Sequence, residues 1–199
     1  MSETLPLIYL ARHGETAWNL TGQHMGRIDM PLTQRGERNA SRLGERLRGM
    51  TFAKVFTSPL QRASRTCELA GFKAAVVDPD LTEWDYGAYE GKTTEEILKE
   101  RPGWQMFRDG YPRGESAEQV GARADRVARR VQAIDGNVLL FSHGHLLRVL
   151  AAHYLGLEPE AGRLFFLSPA SLSALGYEEN RSLPVIRFWD DTCHLAPNL

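Results

Sequence analysis

The chain has 199 residues, 42% hydrophobic and 25% charged, with a formal net charge of −1. That length can bury a core without staples, and the balanced charge lacks the basic surplus that draws nucleic acid or an anionic membrane. Two cysteines, Cys67 and Cys193, read as reduced thiols; with no signal-peptide pattern and no run near ~18 apolar residues, a soluble cytoplasmic protein is expected, its oligomeric state open.

Leu5–Ala11 is short, apolar and rich in β-formers, the pattern of a buried strand. Thr33 is an N-cap candidate for a helix whose Ala40, Leu43, Gly44 and Leu47 recur at i, i+3, i+4 and i+7. Ala53–Ser58 reads as a second strand. Pro59 then stands at a favourable first helical position, with Leu60, Ala63, Cys67 and Ala70 on the apolar face. Ala74–Asp78 is a short third strand.

Residues 79–115 break the pattern: Trp, Tyr, Gly and charge are frequent, and a helix is expected only over Thr94–Glu100. Such a segment reads as an inserted cap or lid facing the substrate. Ser116 with Gln119 makes a capping-box signature before a helix that shows Val120, Ala124, Val127, Val131 and Ile134 on one face. Its Arg123, Arg126 and Arg130 are expected on the solvated side, not as a nucleic-acid stripe. Asn137–Ser142 is an apolar strand, followed by a helix from His145 to Tyr154. Strands at Ser171–Tyr177 and Val185–Trp189 and a loose tail, HLAPNL, close the chain.

Alternating strands and helices imply an α/β fold: a three-layer α/β/α sandwich with a largely parallel central sheet, in one domain over 1–199. In such sheets, sites collect at the carboxyl ends of strands. Arg12 and His13 follow the first strand, Ser58 and Arg62 the second, and Glu83 lies beyond the third. His143, Gly144, His145 and Arg148 follow the fourth. Singly, each is an ordinary loop or surface residue; together they supply the parts of phosphoryl chemistry.

Two arginine forks suit phosphoryl oxygens, and helix N-termini near Pro59 and Gly144 add N–H donors. A neutral imidazole can attack phosphorus, while a second, protonated one would stabilise the transferring oxygens. Glu83 can protonate a leaving alkoxide and then deprotonate water. Glu15 and Asn19 read as turn and cap residues, with Asn19 the better placed to touch phosphate. His24, His153 and His194 carry no message by themselves. There is no HExxH, no Cys/His ladder and no GK[ST], so no metal and no cofactor is expected.

Four segments resemble, in order, the motifs of the histidine phosphatase superfamily, in its phosphoglycerate-mutase-like branch. ARHGETAWN resembles the RHG signature, TSPLQRASRT the second-arginine motif, LTEWDYGAYEG the catalytic-acid motif and FSHGHLLR the second-histidine motif. The similarity runs from about Leu7 to Tyr177. It implies that His13 is the phosphorylated nucleophile and that Arg12, Arg62 and His143 hold the phosphoryl group. It further implies that Glu83 donates and accepts the proton and that Asn19 and the Gly144 backbone complete the pocket.

The mutases of this family usually carry Arg directly after the catalytic Glu, where this chain has Trp84. The resemblance therefore points to a metal-independent phosphatase of small phosphate esters, ahead of a mutase or a non-catalytic phospho-ligand-binding module. GQHMGRIDMPLT, EWDYGAYEG and HGHLLR look like the sedoheptulose-1,7-bisphosphatase-like group. By position Gln23, His24, Arg27, Tyr86, His145 and Arg148 border the leaving group, and a cationic cluster of Arg27, His145 and Arg148 would suit a second phosphate on a sugar.

Overall fold

The computed structural model describes residues 5–195. Its centre is a six-stranded sheet, in the order β3-β2-β4-β1-β5-β6. β1 (Ile8–Arg12), β2 (Lys54–Thr57), β3 (Val76–Val77) and β4 (Val138–Ser142) run parallel. β5 (Leu172–Tyr177) lies antiparallel to β1, and β6 (Pro184–Asp191) antiparallel to β5. The class is the expected one, a mostly parallel α/β sheet closed at one side by an antiparallel pair.

Strand alternation divides the core between the two faces. Tyr9 and Ala11 of β1 pack with Leu43, Leu47 and Cys67 from α2 (Gln34–Leu47) and α3 (Gln61–Leu69). Ile8 and Leu10 face the opposite way, toward Val120 and Val127 of α6 (Ala117–Gln132) and Leu146 and Leu150 of α7 (Gly144–Tyr154). The expected caps hold: Thr33 accepts from the Gly36 N–H, and Ser116 and Gln119 close a reciprocal capping box. Cys67 and Cys193 are both free, and among the described residues no helix is long and apolar enough to cross a membrane.

Register carries the functional segments to one edge. Arg12 is paired with Ser142, and Thr57 with Phe141, so His13, Ser58 and His143 leave the sheet side by side. His13 N–H donates to Ser142 O at 2.9 Å, and Ser58 N–H to Phe141 O at 2.9 Å.

Between β3 and α6, residues 79–115 hold α4 (Thr94–Glu100) and α5 (Met106–Asp109), of which the sequence announced only the first. Trp84, Tyr86, Tyr89, Trp104, Phe107 and Tyr111 are buried here and join the core on the α6–α7 face. The segment is thus anchored by aromatic packing.

Several local expectations need correction. α3 starts at Gln61 after Leu60, so Pro59 lies outside the helix, and Ile134 lies beyond the end of α6. β3 has two residues, both exposed, because it is the sheet's edge. Of the expected loose tail, Cys193–Leu195 forms a 3-10 turn tied to α2 by Arg42 donating to Leu195 O; residues 196–199 lie outside the described part. Arg123 is not solvated but 8% exposed, since it lies three residues after Val120 and four before Val127 on the buried side. Arg126 and Arg130 do lie outward, paired with Asp78 and Asp80.

Candidate active site

A cleft of about 260 Å³ opens at the carboxyl edge of the sheet, its wall including Arg12, His13, Asn19, Glu83, Tyr86 and His145. His13 is 2% exposed, and its Nδ1 stands 2.7 Å from the carbonyl oxygen of Gly14. A carbonyl only accepts, so Nδ1 carries the proton and the Nε2 lone pair is left for the cleft. Burial, then the charges of Arg62 and Arg12, push the imidazole pKa well below its ordinary value of 6.5. His13 is therefore a neutral base with its lone pair available.

Its loop is set by contacts with three elements. Gly14 N–H donates to Thr66 Oγ1 of α3 at 2.9 Å, and that hydroxyl donates to Arg62 O at 2.7 Å. Ala170 N–H donates to His13 O at 3.0 Å from the β5 side. A Cβ on Gly14 would sit 2.6 Å from Gly36 O, so the glycine is demanded by close approach to α2.

Arg12 donates through Nη1 to Leu167 O, while its Nε is buried and has no partner among the described residues. An orphaned guanidinium N–H beside a neutral imidazole is a donor able to bind an oxyanion. Gly144, the first residue of α7, gives this side chain its room: a Cβ there would lie 3.2 Å from Arg12 Cζ and Nε.

Asn19 uses Oδ1 to accept from Thr16 N–H at 3.0 Å, in a capping box at the start of α1 (Ala17–Thr21). That fixes the orientation of the amide and leaves its NH2 group for the cleft. Glu15 is a turn residue, accepting from Thr33 and Arg35.

Glu83 reaches the same cleft from residues 79–115. Its Oε1 accepts from Leu146 N–H at 2.9 Å and its Oε2 from His145 N–H at 3.1 Å, so the carboxyl caps the N-terminus of α7. His145 Nδ1 is 3.8 Å from Glu83 Oε2 and is bonded to the Tyr86 hydroxyl. Burial, then Arg148 and His24, keep His145 neutral well below pH 6.5. His24, buried against Tyr86, has both ring nitrogens engaged, by Tyr111 OH and Thr94 Oγ1 at 3.0 Å each, and burial pushes its pKa down to about 4. Gln23 donates to Gly91 O at 2.8 Å and lines the rim.

Arg62 and His143 stand beside this wall, the His13 and His143 rings being 5.2 Å apart. Arg62 is fully buried, with all three nitrogens engaged: Nε with His143 Nδ1, Nη1 with Ile28 O and Asp29, Nη2 with Met25 O and Gly26 O. His143 Nε2 lies 2.7 Å from Ser58 Oγ. The expectation of a protonated second imidazole is corrected, because burial and Arg62 hold His143 neutral well below pH 6.5.

The expected cationic cluster at the far end is not assembled. Arg148 lies over the Phe107 ring at 4.6 Å and donates to Gly162 O and Arg163 O. Arg27 is half exposed, 3.7 Å from Asp85.

One pair escaped the sequence reading. Arg123 forks onto Glu115 through Nε and Nη2, both at 2.7 Å, and donates to the backbone carbonyls leading to Glu83. Its heptad-like spacing from Val120 and Val127 was the available signal. Among the described residues, no group of three or more His, Cys, Asp and Glu side chains is placed to hold a metal ion.

The model of the histidine phosphatase superfamily (branch 1) matches residues 8–192. An acid phosphatase of Mycobacterium tuberculosis is 38% identical over 184 residues, covering 90% of this chain and 91% of the relative. Sedoheptulose 1,7-bisphosphatase of Saccharomyces cerevisiae is 37% identical over 191 residues, 79% of this chain and 70% of the relative. A probable phosphoglycerate mutase GpmB of Salmonella choleraesuis is 34% identical over 207 residues, 96% of each. A solved structure of an open reading frame from Mycobacterium tuberculosis superposes with a TM-score of 0.89 at 34% identity, covering 93% of this chain and 97% of that one.

Proposed function

The chain belongs to the histidine phosphatase superfamily, and on that premise we propose that it is a metal-independent phosphomonoesterase acting through a phosphohistidine on His13. One observation carries the reading: the His13 imidazole, held by Gly14 O in the tautomer that frees Nε2, shares its cleft with the orphaned Arg12 Nε and the Glu83 carboxyl.

In the first step, Nε2 attacks phosphorus and the bond to the leaving oxygen breaks, while Glu83 gives its proton to the departing alkoxide. Arg12 and the NH2 of Asn19 hold the phosphoryl oxygens. Arg62 and the neutral His143 offer N–H donors once their protein acceptors yield to a stronger oxyanion. In the second step, Glu83 takes a proton from water, the oxygen attacks phosphorus, and the N–P bond breaks to release inorganic phosphate and free His13.

The substrate class we propose is small phosphate esters of sugar type, bisphosphates included, because one relative carries that name and the polar side chains of Gln23, Tyr86 and Thr94 line the cleft. Alkali-quenched enzyme should carry one phosphate, stable to base and released by acid, at His13, and His13→Ala should lose both label and turnover. Full activity in that variant overturns the reading. EDTA should leave the rate unchanged.

The mutase reading is favoured by the GpmB likeness alone. It requires that added bisphosphoglycerate support interconversion of phosphoglycerates, whereas the phosphatase reading requires net release of phosphate.

A further inference from the structure

We infer that Arg123, steered by Glu115, is the positioning residue for the Glu83 carboxyl. The inference rests on the proposed role of Glu83 as proton donor.

Glu83 lies in a stretch with no regular structure of its own, between 3-10 turns at Pro79–Leu81 and Gly87–Tyr89. Its Oε1 accepts the adjacent Trp84 N–H at 3.0 Å, a tie that positions the carboxyl only as well as the backbone of this stretch is itself held, and proton transfer needs it held to a fraction of an ångström. The fixing comes from α6. Arg123 Nη1 donates to Asp80 O at 2.8 Å and Thr82 O at 2.7 Å, and Nη2 to Glu83 O at 3.3 Å. Glu115 takes the other edge of the fork and also binds the downstream side of the stretch. Its Oε2 accepts Asp85 N–H at 2.9 Å, its N–H donates to Asp85 O at 3.0 Å, and its carbonyl accepts Trp84 Nε1 at 2.9 Å. Residues 82 to 85 are thus each bonded to one ion pair. The Glu83 carboxyl, anchored behind by α6, meets the amides of His145 and Leu146 at the head of α7.

The chemistry of the pair agrees with a geometric role. An ion pair between a buried arginine and a partly buried carboxylate recovers little net stability over its desolvation cost, so its value lies in what it orients. The planar guanidinium serves carbonyls and a carboxylate at once, in fixed directions; an ammonium at one point cannot.

The test uses leaving-group dependence of kcat/KM, with 4-nitrophenyl phosphate as an ester that departs without a proton and glycerol phosphate as one that needs it. In Arg123→Lys and Glu115→Gln, the alkyl ester should slow by on the order of 10- to 100-fold, within the ~10²–10⁴ of general acid catalysis, and the aryl ester by less than ~3-fold. KM and the circular dichroism spectrum should hold in at least one of the two variants. Combining Arg123→Lys with Glu83→Gln should add no further slowing on the alkyl ester.

Equal slowing of both esters, or no slowing of either, overturns the inference. Glu83→Gln alone is the control for the reading beneath it. If that variant slows both esters equally, the role of Glu83 falls; if it is selective and Arg123→Lys is not, only the positioning inference falls.

Discussion

Arg62 Nε donates to His143 Nδ1 across 3.1 Å, and this bond decides the state of the second imidazole. An arginine Nε always carries its proton, so His143 Nδ1 must accept, and the ring is neutral with its proton on Nε2. His13 is the opposite tautomer, with Nδ1–H donated to Gly14 O and Nε2 bare. The two neighbouring rings are thus set as a base and a donor by different partners.

The first prediction concerns that tautomer. Nitrogen-15 spectra of histidine-labelled protein should show His13 as the Nδ1–H form at pH 6, where a free imidazole is largely protonated. Arg62 is the largest charge depressing its pKa, so Arg62→Gln should move the titration of His13 upward, toward 6.5, without reaching it, since burial and Arg12 remain. A His13 that titrates at about 6.5 in the parent protein contradicts the assignment.

Stability should fall on the acid side. His13, His24, His143 and His145 are all depressed in the folded protein, whereas the unfolded chain protonates them near pH 6.5. Below that pH the unfolded state binds more protons, so unfolding free energy declines as pH drops and is flat, for these groups, above about pH 7.5. His24 alone, with its pKa near 4, accounts for roughly 3 kcal/mol between pH 6.5 and 4, at about 1.4 kcal/mol per unit. Urea midpoints at pH 7.5, 6 and 5 measure this; equal midpoints would refute it.

Two glycines at the cleft should fail in different ways. Gly144→Ala pushes a methyl to 3.2 Å from Arg12 Cζ, a flexible side chain that can shift. Stability should change by less than about 1 kcal/mol, as alanine suits a helix, while kcat/KM falls by roughly 10- to 100-fold because the guanidinium is displaced. Gly14→Ala pushes against the backbone oxygen of Gly36 at 2.6 Å, which cannot yield cheaply, and should cost about 2 kcal/mol or more in chemical denaturation. Reversal of that ranking would show that the contacts have been misassigned.

Much of this was legible in the chain, for identifiable reasons. Buried parallel strands are continuous apolar runs, so β1 and β4 announce themselves, and α4 falls at the expected Thr94–Glu100, opened in the structure by a capping box of Thr93 and Glu96. Because β1, β2 and β4 are parallel, residues just after each strand had to meet, which made Arg12, His13, Ser58 and His143 a group before any coordinates. Hidden were facts of orientation. Arg123 and Arg126 look alike in sequence, yet one turns inward to Glu115 and the other outward to Asp80. Arg148, placed on the right helix, leans away from the cleft because Phe107 and two carbonyls offer it a better seat.

The last prediction concerns the residue after Glu83. Trp84 is fully buried, its ring edge-on to Phe107 at 5.6 Å and to Tyr111 at 5.8 Å, with Nε1 donating to Glu115 O. It faces the aromatic core of residues 79–115 and does not line the cleft. Trp84→Arg should therefore not install a mutase-like cation at the phosphate. It removes a packed indole and places a charge among aromatic rings, so a loss of about 3 kcal/mol or more is expected. Trp84→Phe keeps an aromatic ring but gives up the bond to Glu115 O, which is left with only the longer one from Tyr111 N–H at 3.4 Å, and should lose about 1–2 kcal/mol. Thermal melts and a phosphoglycerate interconversion assay check both halves. A Trp84→Arg protein that melts with the parent and gains bisphosphoglycerate-dependent mutase activity would mean that this position reaches the cleft, and that one residue there separates hydrolysis from phosphoryl return.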